Sequence, residues 1–343
     1  MKILIISPTQ SGIGGIAQHV QGLTKFLKKN GHEVEIISSE NTFTIPIKGL
    51  KNPSFMISSF LKAKFKKNQD IVHAHNIPAA LAMKNTTGKK ILSLHGIFSQ
   101  QINQLHGKTT GNISEKYEKN ALTWADAITV ISKEAFDYYT DLGYKVFQVP
   151  NAIDISSLTL SEDRRYQKQV IFAGRLSKEK GIETLIEIAK ALPEKINLLI
   201  LGAGPEEQKI KDISTSQKNI HFLGECDKDQ TVSLIRGSDI LIQPSLQEAI
   251  SSTILEAMAC KTAIIASDVG GNGELITNHK NGILLEPKNT ELFIKSINEL
   301  FENSKKQQSM IHESNQLIKN YDWSKVGNLY MDIYKNLLKQ NTD

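Results

Sequence analysis

The sequence has 343 residues, of which 40% are hydrophobic and 22% charged, and its formal net charge is +5. This length leaves room for two domains with buried cores, and the composition excludes a disordered or fibrous chain. Two cysteines exclude a disulfide framework, and no apolar run reaches the roughly 18 residues of a spanning helix or resembles a signal peptide. We therefore expect a cytoplasmic protein.

Positive charge is concentrated in the first half of the chain. Residues 1–150 contain 18 lysines, no arginine and 10 acidic residues, a net charge of +8, whereas the rest of the chain is at −3. A basic half favours contact with the inner face of an anionic membrane or with an anionic acceptor. A solvated, lysine-rich surface is the alternative explanation.

A strand–helix–strand unit begins the chain. The apolar runs KILIIS and EVEIIS predict two strands with a helix between them. The apolar positions of that helix have helical spacing and are Ile16, Val20, Leu23 and Leu27.

The glycine turn before this helix allows two interpretations from its residues alone. The pattern Gly12-x-Gly14-x-x-Ala17 fits a dinucleotide fingerprint, with Glu40 as the acid that binds a ribose, and would indicate an NAD-dependent dehydrogenase. Residues 8–11 make the turn longer than that fingerprint requires. A glycine turn without a ligand is the other interpretation.

Residues 53–67 mix apolar and basic side chains. The apolar members are Phe55, Met56, Ile57, Phe60, Leu61 and Phe65, and the basic members are Lys62, Lys64, Lys66 and Lys67. A basic amphipathic helix of this kind either lies on a membrane surface or packs its apolar side on the sheet.

Histidines end two predicted strands, DIVHAH and KKILSLHG. His73 and His75 share one face of the first strand, but the sequence offers them no third ligand, so we predict no metal site. His95 follows the second strand. Ligands of open α/β sheets lie at the carboxyl ends of strands, so His95 is placed to contact a ligand, with a structural histidine as the alternative.

The strand pattern restarts after Pro150-Asn151, where we place a domain boundary. The predicted domains are residues 1–150 with a final helix at 324–343, and residues 151–323. The segment 97–111 has no clear period and is predicted to be a loop near an acceptor.

Two cations follow the first strand of the second domain. Arg175 and Lys180 lie five residues apart in a loop between a strand and a helix. Arginine offers a bidentate fork and lysine a compact charge, so both can bind one diphosphate.

Two acids, Glu248 and Glu256, flank the start of a predicted helix. Ser251, Ser252 or Thr253 is suited to cap this helix, whose free amides favour a phosphate. The pair Gly270-Gly271 begins a further helix and offers a second set of amides. The stretch from Glu248 to Glu256 can therefore hold an anion between two carboxylates.

These motifs resemble the retaining GT-B glycosyltransferases of family four. The resemblance rests on the spacing E248-AISSTIL-E256-AMA and on Gly174-Arg175-Leu176 followed by Lys180-Gly181. It implies an α/β fold with two Rossmann-like domains that face each other across a cleft, and a C-terminal helix that crosses back to the N-terminal domain.

The resemblance also implies roles for individual residues. Glu248 and His95 are expected to orient the donor sugar, Glu256 to bind the ribose, and Arg175 with Lys180 to stabilise the leaving diphosphate. The other residues expected at the nucleotide are Gly14, Gly15, Gly174, Gly202, Gly224, Ser251, Ser252 and Gly271. The loop 249–252 departs from the family's Gly-Phe-Gly-like sequence, so the resemblance carries no sugar specificity.

The predicted function is retaining transfer of a hexose from a nucleoside-diphosphate sugar, with UDP preferred to GDP, to a glycan or lipid-linked acceptor. The expected setting is polysaccharide biosynthesis, with no nucleic-acid partner. No Asp-x-Asp motif is available to hold a metal at the diphosphate, so the transfer is predicted to need no metal or other cofactor. A sugar-nucleotide epimerase on the same fold is the alternative, and the dehydrogenase is another.

Overall fold

The computed structural model describes residues 1–12, 14–47, 49–99 and 108–339, with only the backbone of residues 108–114. The chain divides into two compact units, Met1–Ala152 with Trp323–Asp343, and Ile153–Asp322. The first boundary lies after Ala152 rather than after Pro150. Most of the loop predicted near an acceptor, residues 100–107, lies outside the described residues.

The first unit contains a parallel six-stranded sheet with helices around it. Its strands are β1 (Lys2–Ser7), β2 (Glu33–Ser38), β3 (Ile71–His75), β4 (Lys89–Leu94), β5 (Ala127–Val130) and β6 (Val146–Gln148). Its helices are α1 (Gly15–Lys29), α2 (Lys51–Ala63), α3 (Ile77–Ala80), α4 (Lys108–Leu122), α5 (Lys133–Asp141) and the final helix, α13 (Trp323–Lys339).

The second unit repeats this plan with another parallel six-stranded sheet. Its strands are β7 (Gln169–Ala173), β8 (Asn197–Leu201), β9 (Ile220–Gly224), β10 (Ile240–Gln243), β11 (Ala263–Ser267) and β12 (Ile283–Leu285). Its helices are α6 (Ile182–Ala191), α7 (Glu207–Ser216), α8 (Lys228–Arg236), α9 (Ser252–Cys260), α10 (Asn272–Leu275), α11 (Thr290–Glu302) and α12 (Ser304–Leu317).

Each sheet has one position where the order of successive strands reverses. The orders are β2-β1-β3-β4-β5-β6 and β12-β11-β10-β7-β8-β9, so the order reverses between β1 and β3 and between β7 and β10. Strands such as β3 and β7 are buried along their whole length, as parallel strands covered on both faces require. Ligands of such sheets lie beyond the carboxyl ends of the strands at the reversal.

The C-terminal helix α13 packs against α1 within the first unit. Two glycines allow the close approach, since a Cβ on Gly22 would lie 2.0 Å from Nε1 of Trp323 and one on Gly327 would lie 2.5 Å from the Phe26 ring. The predicted return of the final helix to the first domain is thus what the structure contains.

Helix α2 divides its apolar side chains between two directions. Phe55 and Ala63 are buried, whereas Ile57 and Leu61 are exposed, so only part of the apolar set packs inward. In the described part of the chain, no helix combines the length and apolar character needed to cross a membrane.

Candidate functional site

Lys180 is brought to the end of β10 by the glycine that follows it. Gly181 has φ of +69° and lies so close to the next loop that a Cβ would meet the Pro244 carbonyl oxygen at 1.9 Å. Only glycine fits this backbone, because a left-handed φ and the missing Cβ are both required. The turn that contains Lys180 therefore packs directly on the loop that leads from β10 to Glu248.

Glu248 accepts three hydrogen bonds on a single oxygen. Lys180 Nζ donates to Oε1 at 2.5 Å and Ser245 Oγ donates at 2.9 Å. Gln243 Nε2 donates to the same oxygen. The Glu248 side chain is only 7% exposed, so these donors offset the cost of burying its charge. Because all three bonds use Oε1, Oε2 remains for a ligand.

Gln243 links this carboxylate to the start of helix α9. Its Oε1 accepts a hydrogen bond from Ser251 Oγ at 2.9 Å, while its Nε2 donates to Glu248 Oε1. Ser251 also caps α9, accepting from the Ile254 amide. The amides of Ser252 and Thr253 lie in the first turn and have no intrahelical acceptor, so this helix start is suited to an anion.

Glu256 lies about one turn into α9 and is paired with a lysine from a different helix. Lys228, the first residue of α8, donates to Glu256 Oε1. The Glu256 side chain is 6% exposed and that of Lys228 38%. This carboxylate is therefore held at the same helix start as Glu248, by its own cation.

Arg175 differs from the two lysines of the site. It follows β7 and Gly174 and is exposed, and no hydrogen bond or ion pair of its guanidinium is found among the described residues. Its charge is therefore available for a ligand at the end of β7.

Glycine turns surround these side chains at the strand ends. The amide of Gly174 donates to the Leu201 carbonyl at 3.1 Å, and that of Gly202 donates to the Gly224 carbonyl at 2.7 Å, joining the ends of β7, β8 and β9. Gly271 lies against the loop after Glu248, where a Cβ would meet the Ala249 carbonyl oxygen at 1.7 Å. These predicted glycines therefore all end or follow strands of the second unit.

Sequence analysis missed two residues of this site, Gln243 and Lys228. Gln243 ends an otherwise apolar strand, ILIQ, and a polar residue at that position is the feature that could have revealed it. Lys228 follows the capping residue Asp227 on the surface of α8, and nothing in the sequence relates it to Glu256.

The other predicted residues, Gly14, Gly15 and His95, belong to the first unit. Gly14 is the N-cap of α1 and Gly15 its first residue. Glu40, the acid of the dinucleotide interpretation, accepts hydrogen bonds from the amides of Gln10 and Ser11 at 3.0 and 3.2 Å. This carboxylate stabilises the glycine turn itself, which disfavours a role in binding a ribose.

His95 lies in a buried group of histidines at the carboxyl ends of β3 and β4. His95 Nε2 faces His75 Nδ1 at 3.2 Å, and the His19 ring from α1 lies 4.9 Å from the His95 ring, centroid to centroid. The expectation that His75 has no further potential ligand nearby was wrong, because α1 and β4 supply His19 and His95. His73 forms hydrogen bonds through both ring nitrogens, between Nδ1 and Tyr334 Oη at 2.7 Å and between Nε2 and Ser93 Oγ at 2.6 Å.

Two family models match the chain in succession. The model described as Glycosyltransferase Family 4 matches residues 13–157, and the model described as Glycosyl transferases group 1 matches residues 161–317. Together they cover both units.

Curated relatives and solved structures agree with these models. An uncharacterized glycosyltransferase of Methanocaldococcus jannaschii is 27% identical over 81% of this chain and 71% of that protein. The phosphatidyl-myo-inositol mannosyltransferase of Mycolicibacterium smegmatis is 23% identical over 98% of this chain and 94% of that protein.

Two solved structures have the same fold. Sucrose-phosphate synthase from Thermosynechococcus elongatus has a TM-score of 0.84 at 17% identity and covers 99% of both chains. Anabaena HepE in complex with UDP and glucose has a TM-score of 0.77 at 18% identity, over 98% of this chain and 100% of that chain.

Proposed function

Because the chain belongs to the group 1 glycosyltransferases with the GT-B fold, we propose that it transfers a hexose from a nucleoside-diphosphate sugar to a hydroxyl of a glycan or lipid-linked acceptor. The transfer retains the anomeric configuration and needs no metal at the diphosphate. The single observation that supports it most is the Lys180–Glu248 pair beside the start of α9.

Loss of the nucleoside diphosphate is the step that needs positive charge. Lys180, Arg175 and the first amides of α9 lie at the reversal of strand order in one sheet. Preorganised donors of this kind stabilise charge that develops on a leaving group and act without reorganisation at the moment of reaction. They take the place of a divalent cation, which is why the proposed transfer is metal-independent.

The two carboxylates have separate tasks in this proposal. Glu248, held at Oε1, presents Oε2 to hydroxyls of the donor sugar and offsets positive charge near the anomeric carbon. Glu256 accepts from the ribose hydroxyls. Each acid is held by a lysine before the donor binds, so neither has to be buried alone.

Retention follows if the acceptor hydroxyl attacks from the side of the leaving group. A phosphate oxygen of the departing diphosphate then takes the proton of that hydroxyl, so the protein needs no separate general base. UDP is the favoured nucleotide, and HepE, which shares the fold, was solved with UDP and glucose.

The remaining assignments stay predictions of the sequence. Gly202, Gly224 and Gly271 are proposed to lie beside the nucleotide, Gly224 with its backbone near the base. His95 and the Gly14-Gly15 turn belong to the first unit, and their contacts with the donor sugar and phosphates are untested.

Thermal unfolding with UDP, GDP, ADP and NAD, each with and without EDTA, tests this proposal. We expect UDP to raise the midpoint by binding the native state, by the same amount in both conditions. A matched pair of variants, Lys180→Ala and Lys178→Ala, should lose and keep this shift respectively. A shift with NAD alone, or a UDP shift abolished by EDTA, would contradict it.

Product analysis separates transfer from epimerisation. Incubation with UDP-hexoses should release UDP in proportion to the amount of glycan or lipid-linked acceptor supplied. Sugar that is rearranged or released without any dependence on acceptor would favour the epimerase instead.

We further propose that the acceptor is met at an anionic membrane surface, through the segment 43–65 of the first unit. This proposal is supported by six large apolar side chains of the segment that are between 47% and 81% exposed, which are Phe43, Ile47, Leu50, Ile57, Leu61 and Phe65. Exposed apolar side chains on this scale mark interaction surfaces.

Lysines accompany these apolar side chains. Lys51, Lys64 and Lys67 are exposed in or next to α2, and the unit as a whole is basic. Each lysine near an anionic leaflet contributes about 1 kcal/mol, and the apolar groups enter the headgroup region. Exposed apolar and basic groups in one segment therefore fit a bilayer better than a solvated face.

Sedimentation with vesicles tests the membrane contact. We expect binding to vesicles that contain phosphatidylglycerol and little binding to phosphatidylcholine alone. Replacing Ile57, Leu61 and Phe65 together by Ser should abolish it, whereas Leu160→Ser, at an 85% exposed position of the second unit, should not. Equal binding of the triple variant would refute this contact.

A further inference from the structure

Three histidines from different elements converge in the interior of the first unit. His19 lies on α1, His75 ends β3 and His95 follows β4. They are 2%, 0% and 8% exposed, and one ring nitrogen of each lies within 4.8 Å of the corresponding nitrogen of the other two. The proposed function assigns no role to His19 or His75.

All three rings are neutral at physiological pH. Burial lowers the pKa of His19 to about 4 and holds the pKa values of His75 and His95 well below their usual range. A metal ligand must offer a lone pair, so a neutral imidazole is the form that binds. Each neutral ring therefore has one lone pair to offer.

Hydrogen bonding of the His75 ring is incomplete. Its Nδ1 faces His95, but its Nε2 is fully buried and has no partner among the described residues. The free Nε2 can hold the proton of the neutral ring, which leaves Nδ1, the nitrogen that faces His95, with the lone pair. By contrast, both nitrogens of the neighbouring His73 are hydrogen-bonded.

His19 already has the support that metal-binding histidines usually have. Its Nδ1 donates to the carboxamide oxygen of Asn151 at 3.2 Å, which leaves Nε2 as the nitrogen with the lone pair. That Nε2 accepts from Tyr330 Oη at 3.0 Å. Ligating histidines typically donate their other N–H to an oxygen, which fixes the tautomer and the ring orientation.

We propose that His19, His75 and His95 together bind one divalent transition metal ion, with Zn²⁺ as the ion best suited to three imidazoles. His75 Nδ1 and His95 Nε2 are 3.2 Å apart, and two nitrogens bound to one tetrahedral zinc are about 3.4 Å apart. An ion between them replaces their mutual hydrogen bond, and the His19 ring closes the third side.

The ion would act on the fold of the first unit rather than on the diphosphate. It would join α1, β3 and β4 at the reversal of strand order and stabilise the unit, because it binds the folded chain and the unfolded chain has no such site. The inference does not depend on the proposed transfer reaction.

Zinc titration of tag-free, metal-stripped protein, followed by calorimetry, tests this inference. We expect one Zn²⁺ per chain and a rise of the thermal midpoint that chelation reverses. Co²⁺ in place of Zn²⁺ should give the intense visible absorption of a four-coordinate site. Failure of the wild-type protein to bind one equivalent of either ion would overturn the proposal.

Variants locate the ion. His75→Phe and His95→Asn should each weaken Zn²⁺ binding by more than about a hundredfold, and Asn151→Ala, which removes the oxygen that accepts from His19 Nδ1, by about tenfold. The double variant His279→Gln/His312→Gln, which removes histidines outside the cluster, should bind as the wild type does. Circular dichroism identifies the folded variants, and a folded His75→Phe or His95→Asn protein that keeps its zinc would refute the site.

Discussion

Equivalent positions in the two sheets hold neutral side chains in one unit and charged side chains in the other. At the reversal in the first unit, four buried histidines are neutral, and hydrogen bonds with Tyr334, Ser93 and Asn151 stabilise two of them, His73 and His19. At the reversal in the second unit, Lys180 with Glu248 and Lys228 with Glu256 form ion pairs, and Arg175 is exposed.

Burial explains the difference. The histidine rings lie deep among strands and under α13, where desolvation favours the uncharged form. The carboxylates of the second unit are also buried, but each has a lysine that is partly exposed, so charge persists there because it is paired. The topology of a sheet therefore fixes where a site lies, while the partners of each side chain decide whether it is charged.

The largest effect is expected from removing a charge of the second unit. Lys180→Ala should lower kcat by about a thousandfold, because the leaving diphosphate loses a preorganised cation. Lys178→Ala, an exposed lysine of the same turn, should change kcat less than threefold. Steady-state kinetics with UDP-sugar measure both, and similar losses in the two variants would contradict a specific role for Lys180.

A smaller effect is expected from Gln243→Leu, which keeps the volume but removes the bridge between Ser251 and Glu248. We expect kcat to fall by about ten- to a hundredfold, with little change in the KM for the donor, because Glu248 is misplaced rather than lost. The same replacement at Gln217, at the end of α7, serves as the control. An unchanged kcat in Gln243→Leu would show that the bridge does not position the carboxylate.

A fall in pH should lower the stability of the first unit, because its buried histidines are neutral. Burial lowers the pKa of His73 from 6.5 to about 3 and that of His19 to about 4, so between those values and 6.5 the unfolded chain binds more protons than the folded one. Stability is therefore full above pH 6.5 and is lost as the pH falls below it. Each ring contributes about 1.4 kcal/mol per pH unit to the slope of the free energy of unfolding against pH.

The variant His73→Phe isolates one ring. The free energy of unfolding of the first unit, measured with urea at several pH values between 6 and 4.5, should depend less on pH than in the wild type. The expected difference in slope is about 1.4 kcal/mol per pH unit. Replacing the exposed His312 by Gln should leave that slope as it is. A slope that does not change in His73→Phe would mean that this ring is protonated in the folded protein.

The smallest effect concerns the helix start of the second unit. Ser251→Ala should lower the free energy of unfolding by about 1 kcal/mol, because α9 loses its cap and Gln243 loses a donor. Ser216→Ala, at an exposed position near the end of α7, should change it by less than half of that. Thermal or urea unfolding of the second unit measures the difference.

Much of the proposed donor site was predictable because its residues lie close together in the sequence. Glu248, Ser251 and Glu256 occupy one loop and one helix, and helix periodicity with capping preference places them at the same end. Arg175 and Lys180 likewise lie in a single turn after a buried strand. The strand–helix–strand start of the first unit and the restart of the strand pattern after Pro150-Asn151 were also predictable, since these patterns depend on local periodicity.

The histidine cluster and the bridging residues depended on contacts between distant parts of the chain. His19 and His75 are separated by 56 positions, and Lys228 and Glu256 by 28, so no local pattern relates them. In the sequence Gln243 is only the end of an apolar strand, and its contacts with Glu248 and Ser251 are visible only in the structure.

The sequence by itself determined the alternation of strands and helices, the caps and the charges, because each of these depends on neighbours a few residues away. The tertiary structure alone decided which of those charges are paired and which imidazoles are neutral. Desolvation and pairing depend on what surrounds a side chain in space, and strand order brings together residues that the sequence separates.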